Sequence, residues 1–153
     1  MRWVFKRNNE ITSFEELEYF TGLRSVADSA FKCCANLRSV KLPESLWLID
    51  DYAFDRCKDV LIPKLPDNLK IIGSHAFRRC SWLALRSLPE SLKSVADFAF
   101  SECSSLILTD LPSGLTLIED GVLGNCPSIS LESLPSGLTY IGRWAFFECF
   151  LSI

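Results

Sequence analysis

Apolar positions along this chain return at a fixed interval of 23 residues. Leu23, Leu46, Leu69, Leu92, Leu115 and Leu138 each open a Leu-x-x-Val/Ile step. Phe31, Phe54, Phe77, Phe100 and Phe146 keep the same interval, with Leu123 in the fifth place, and Cys34, Cys57, Cys80, Cys103, Cys126 and Cys149 keep it without a gap. Separate columns that share one interval are the signature of a repeat architecture. In such a stack no unit buries its own apolar face, and stability is summed over neighbouring units.

Each unit is punctuated by a Leu-Pro pair: Leu42-Pro43, Leu65-Pro66, Leu88-Pro89, Leu111-Pro112 and Leu134-Pro135. Proline has no N–H to give to a continuing ladder, so a strand ends there. The pattern therefore predicts short parallel strands just upstream, at 37–42, 60–65, 83–88, 106–111 and 129–134. A two-residue turn follows each proline, and the Leu-x-x-Val/Ile step after it reads as a second extended segment. The return limb is Ala-Phe-x-x-Cys, with a small residue at a tight bend, a phenylalanine filling the coil interior, and room for about one helical turn. In unit five, Gly121-Val122-Leu123-Gly124 replaces the usual aromatic-Ala-Phe, which predicts looser packing.

Residues 1–22 stand outside this interval and read as an amino-terminal cap of a strand plus a short helix, leaving 23–153 as the solenoid. Arg2 to Lys6 alternates around Trp3 and Phe5, as a short strand does, and Asn8-Asn9 signals a turn. Ser13-Phe14-Glu15-Glu16 has the Ser-x-x-Glu form of a capping box, predicting a helix start. At the other end, Phe150-Leu151-Ser152-Ile153 brings no polar cap. That predicts an apolar edge met by a partner, by self-association, or by more chain of a longer parent.

The segments LPDNLKIIGSHAFRRC (65–80) and LPESLKSVADFAFSEC (88–103) resemble the BspA-like, or Treponema-type, leucine-rich repeat, and the resemblance runs over 23–149. It implies an α/β repeat fold: a leucine-rich-repeat solenoid of about six 23-residue units with a short parallel sheet on one face. Members of that family are typically surface or secreted proteins that bind host or matrix proteins. The implied role is an exported adhesin.

Composition changes this picture little. Apolar residues make up 48% and charged residues 23% of the 153, a globular balance. The net charge is −3, unevenly spread, since residues 1–80 carry 13 of the 16 Lys/Arg and 11 of the 19 Asp/Glu. No block of like charge forms, so nucleic-acid binding is not argued. No apolar run reaches the roughly 18 residues of a membrane span, and MRWVFKRNNE lacks a signal-peptide core, so the chain as encoded reads as cytoplasmic, with the cell surface as the family alternative.

Seven cysteines could suggest metal or redox chemistry, but one per unit with a single histidine, His75, gives no zinc spacing. The ladder thiols read as small buried apolar side chains, and Cys33, outside the ladder, is the one thiol expected to react. No nucleophile, base and acid assemble, so neither catalysis nor a cofactor is expected. Asp50-Asp51 and Glu119-Asp120 read as solvated turn acids.

Specificity in a repeat protein is written on residues that face out. Trp47, Leu48, Ile71, Leu117 and Tyr140 are large and apolar where the pattern predicts exposure, with Lys70 and Lys93 between them. A second column, Lys41, Lys64, Arg86, Ser87, Thr109, Asp110 and Glu132, runs from basic to acidic. An apolar stripe beside a charge gradient is what a protein-binding face looks like. The expected function is non-enzymatic recognition of another protein, either as a surface adhesin or as a small cytosolic inhibitor carried by a virus or mobile element.

Overall fold

A computed structural model of the chain describes residues 4–151. Its core is a stack of coils, and every strand pairing is parallel. The strands are only two residues long. Ser13–Phe14 (β1) pairs with Ser39–Val40 (β3). Ser25–Val26 (β2), Leu48–Ile49 (β4), Ile71–Ile72 (β5) and Ser94–Val95 (β6) form a four-stranded sheet in that order, and Leu117–Ile118 (β7) pairs with Tyr140–Ile141 (β8). The register sets Leu48 opposite Ile71 and Leu117 opposite Tyr140. Like positions of successive units thus lie one above another.

This placement corrects the expected position of the main strands. Upstream of the Leu-Pro pairs only β3 is a strand, continued by single parallel bridges at Leu61 and Leu131. The principal sheet lies in the Leu-x-x-Val/Ile step. The reason is the turn that each proline begins: its carbonyl accepts the N–H of the leucine three residues on, as Pro43 does from Leu46 at 3.1 Å and Pro66 from Leu69 at 3.0 Å. That closed turn delivers the next residues, extended, against the coil before, whose Trp47 carbonyl accepts from Lys70 and Ile71.

The return limb is a run of reverse turns, with no α-helix among the described residues. In coil two, Ala53, Asp55 and Cys57 donate back to Asp50, Tyr52 and Phe54, while the intervening Tyr52, Phe54 and Arg56 donate forward to Ser74, Ala76 and Arg78. Successive N–H groups alternate between local turn and next coil, which demands left-handed backbone twice per coil. Tyr52 and Arg56 have φ of 55° and 63°, His75 and Arg79 58° and 62°. Outside glycine that conformation costs of the order of 1 kcal/mol, offset here by the inter-coil hydrogen bonds.

Inside the limb, the phenylalanines stack. Ring centroids of Phe31 and Phe54, Phe54 and Phe77, and Phe77 and Phe100 are 5.0, 5.4 and 5.3 Å apart, with planes within 7°. Leu123 ends this spine, as unit five's sequence predicts. The sheet opens at the same level: among the described residues, β6 and β7 do not pair, although the turn limbs of the two coils stay bonded through Phe98, Phe100 and Glu102.

The amino-terminal segment adds a further half coil. Phe5 stacks on Phe31 at 5.3 Å, its N–H and that of Arg7 donate to Ala30 and Lys32, and Arg7 has φ 59°. Phe5, Ile11 and Phe14 thus match Phe31, Leu37 and Val40 at an interval of 26, three residues longer than the repeat. Phe5 and Lys6 therefore sit in a turn where the alternation predicts a strand; Arg2 and Trp3 lie outside the described residues. The capping box does not form either. Ser13 is drawn into β1, Phe14 precedes a 3-10 helix at Glu15–Tyr19 with no side-chain cap, and Glu15 instead accepts from Ser39 at 2.6 Å.

Candidate sheet-face binding site

The first expected column lies on the outer face of the sheet. Ile49, Ile72, Val95 and Ile118 point into the core and are buried, so the residues before them point out. Leu48 and Ile71 are half-buried neighbours, whereas Trp47, Leu117 and Tyr140 are 43%, 44% and 48% exposed. Lys70 and Lys93 are exposed beside them and form no ion pair among the described residues. The face is interrupted chemically by Ser94 and physically by the break between β6 and β7.

The second column stands on the other extended limb, before the proline turns. Lys41 pairs with Glu15 and Glu18 at 3.4 and 3.5 Å, and Lys64 with Glu44 at 2.8 Å. Hydrogen bonding to Lys64 holds the Glu44 carboxyl below the usual carboxylate range, and Ser39, then Lys41, does the same for Glu15. Arg86 is exposed and outside these pairs. These lysines already have carboxylate partners across coils, so they present less free charge than the sequence implies.

The cysteine column has a structural explanation. Each ladder thiol donates to the carbonyl of the spine residue one coil back: Cys57 to Phe31 at 2.9 Å, Cys80 to Phe54 at 3.1 Å, Cys103 to Phe77 at 3.0 Å, Cys126 to Phe100 at 3.1 Å and Cys149 to Leu123, where leucine replaces the phenylalanine, at 2.8 Å. Burial pushes the Cys126 thiol up to about 12 and those of Cys80 and Cys103 well above their ordinary value. Such thiols are inert. Cys33 is half-exposed, and among the described residues no group of three or more His, Cys, Asp or Glu could hold a metal ion.

The turn acids do more than face solvent. Asp51 accepts the N–H of Ser74 at 2.7 Å and Asp120 that of Arg143 at 2.7 Å, each clamping the next coil. Gly73 and Gly142 lie beneath these carboxylates, where a Cβ would come within 2.5 Å of Asp51 Oδ1 and Asp120 Oδ1. The paired spacing, acid then glycine 22 residues on, is visible in the sequence.

A buried charge cluster escapes the sequence pattern. Asp55 is fully buried and bonded to Arg78 at 2.9 and 3.3 Å, with Lys32 Nζ 3.4 Å away. Lys32, Asp55 and Arg78 share one column, 23 residues apart, so alternating charge in a column is the signal that could have found it. Lys32 also caps the ring of Tyr52 at 3.8 Å, and His75 stacks between Tyr52 and Phe98. Burial, then Arg78, lowers the pKa of His75, and its Nδ1 has no hydrogen-bond partner among the described residues.

Comparison with known proteins agrees with this architecture. The model of the BspA type leucine-rich repeat region matches residues 4–84 and 48–153, with six copies. The solved leucine-rich repeat protein of T. pallidum is 28% identical with a TM-score of 0.74, over 84% of this chain and 60% of that one. One from Bacteroides ovatus is 24% identical with a TM-score of 0.78, over 95% of this chain and 43% of that one. A leucine-rich cell surface protein from Faecalibacterium prausnitzii shares the fold at 22% identity and a TM-score of 0.52, over 88% of this chain and 54% of that one. The chain thus spans about 60% and 43% of the first two relatives. No curated protein matches it. With coils, phenylalanine spine and cysteine ladder repeating along its length, the chain belongs to the BspA type leucine-rich repeat family.

Proposed function

We propose that this solenoid is a non-enzymatic module that holds another protein against its sheet face. The observation that carries the reading is two outward pairs in strand register, Leu48 with Ile71 and Leu117 with Tyr140, with Trp47 exposed beside the first. Exposed aromatic and aliphatic side chains on a rigid sheet supply contact area at low entropic cost, and the free Lys70 and Lys93 set charge register. Leucine-rich repeat proteins generally bind other proteins, which supports the same reading.

Trp47→Ala and Tyr140→Ala test it. Both positions are exposed, so folding is retained and is checked by circular dichroism. Against a partner recovered from the native host by the unaltered chain, each variant loses about 2 kcal/mol if these residues are hot spots. Unchanged affinity in the double variant sinks the assignment. Within this function, an exported adhesin and a cytosolic inhibitor are separated by the natural gene: an export signal or an anchor favours the adhesin. Among the described residues, no helix is long and apolar enough to cross a membrane.

A second reading, self-association, rests on the last coil, where Trp144, Phe147 and Phe150 are 61%, 51% and 74% exposed. Light scattering over a concentration series measures it; a mass that stays at one chain throughout removes it.

A further inference from the structure

The two ends of the stack are built from the same turn limb. In each inner coil alternate N–H groups of that limb donate forward, as Ser29, Phe31 and Cys33 do to the carbonyls of Asp51, Ala53 and Asp55. In the last coil the equivalent groups belong to Trp144, Phe146 and Glu148, and none has a backbone acceptor among the described residues. Trp144 and Glu148 nevertheless keep the left-handed backbone, with φ of 56° and 54°. The last coil thus holds three donors in the geometry that a further turn limb of the same kind accepts.

Such a limb stands at the opposite end. Phe5 and Arg7 donate to the carbonyls of Ala30 and Lys32, and Val4 and Lys6, 26 residues earlier, hold the places of Ala30 and Lys32 in the half coil. Brought up behind the last coil, this half coil sets the Val4 carbonyl against the N–H of Phe146, and the Lys6 carbonyl against that of Glu148. It also sets the Phe5 ring against Phe146, in the manner of Phe5 on Phe31 at 5.3 Å. Val4 is 47% exposed and has apolar surface to bury there, as Trp144 and Phe147 have.

Charge selects the same arrangement. Arg7 and Glu148 stand at the two ends of one column, which inside the chain holds Arg56, Arg79 and Glu102. Adjacent members of opposite sign pair, Arg79 Nε lying 2.9 Å from the Glu102 carboxylate. Arg7 and Glu148 are both exposed, and neither is in an ion pair among the described residues. Joined end to end, they become the next such pair. Two last coils brought together have only these donors to offer on this limb, and no cation in this column.

We propose that copies of this chain stack head to tail, residues 4–7 of one copy seating on the last coil of another as a further turn limb. The arrangement rests on the self-association reading of the last coil and names what that coil meets. The contact is heterologous, so each added copy leaves both ends open and a linear stack grows. The half coil has no strand equivalent to β8 among the described residues, so the turn limb carries the contact.

The test is sedimentation of the full chain from about 10 μM to 1 mM, the range in which a contact of one coil face is expected to act. Mean mass should rise continuously past two chains. Arg7→Glu and Glu148→Arg are each expected to lower the association constant about fivefold, because each sets like charge against like. Either residue suits either site, since Arg56 and Arg79 have φ of 63° and 62° and Glu102 62°; circular dichroism checks the fold. The chain carrying both substitutions should regain the unaltered association. That recovery cannot arise within one copy, where the two positions are about 30 Å apart at the strand spacing. A mass that stays at one chain throughout overturns both the proposal and the self-association reading. Association that stops at two chains, that neither single substitution weakens, or that the double substitution fails to restore overturns the head-to-tail stack and leaves the self-association reading standing.

Discussion

Cys57 donates its thiol proton to the Phe31 carbonyl 2.9 Å away in the preceding coil, and that one contact explains why a cysteine recurs in every unit. The Phe31 carbonyl already accepts the Cys34 N–H at 3.0 Å, so the thiol uses its second lone pair and ties local turn to next coil. The slot needs a side chain that is small, apolar enough for the interior and able to donate, and cysteine meets all three conditions.

Replacing Cys80 by alanine removes both the donor and the sulfur volume. The expected loss of stability is about 1–3 kcal/mol, read from the midpoint of urea unfolding, while serine at the same site retains a donor and separates the hydrogen bond from the lost volume.

The same burial makes stability fall in alkali. The folded thiols of Cys80, Cys103 and Cys126 are raised above the ordinary value of 9.0, so the folded state holds protons that the unfolded state releases. Their contribution is complete below about pH 9 and declines as pH climbs towards the folded value of about 12 for Cys126. Unfolding measured from about pH 7 to 11 should show this decline, with a shallower slope in Cys103→Ser. Equal slopes would contradict it.

Alkylation at neutral pH should find Cys33 first. The native protein treated with iodoacetamide is expected to carry its first label there, with half-buried Cys149, whose thiol pKa burial raises, following more slowly, while Cys57, Cys80 and Cys103 stay free, and denaturant should expose all seven thiols. Peptide mapping by mass spectrometry reads the order directly.

Asp55 is the one fully buried carboxylate among the described residues, and it neutralises cations from the coils on either side. Asp55→Ala leaves Lys32 and Arg78 facing each other without it. Because those cations are about a quarter exposed, water recovers part of the loss, and about 3 kcal/mol is expected in thermal or urea unfolding.

Amide exchange should locate the break in the sheet. Lys70, Ile71, Lys93 and Ser94 donate to the coil before, whereas the N–H groups of Thr116 and Leu117 have no backbone acceptor among the described residues. Exchange at Thr116 and Leu117 is expected to outpace exchange at the equivalent positions of the neighbouring coils. Equal protection at all of them would show that the sheet is continuous.

The 23-residue interval was enough to establish the solenoid, its buried leucine, phenylalanine and cysteine columns, the end of the phenylalanine spine at Leu123 and the outward direction of Trp47, Leu48, Ile71, Leu117 and Tyr140. Periodicity carries this because like positions of a stack share one environment, so a column of one residue type reports that environment directly. The tertiary structure alone decided where the sheet runs, that the return limb is left-handed turns, and that Phe5 to Phe14 continue the stack at an interval of 26. It also decided that Lys41 and Lys64 are paired, that Lys32, Asp55 and Arg78 meet, and that the Phe98 ring covers Gly121. Each of these depends on which hydrogen bonds and charges coincide between adjacent coils, a relation among units that no single unit's pattern contains.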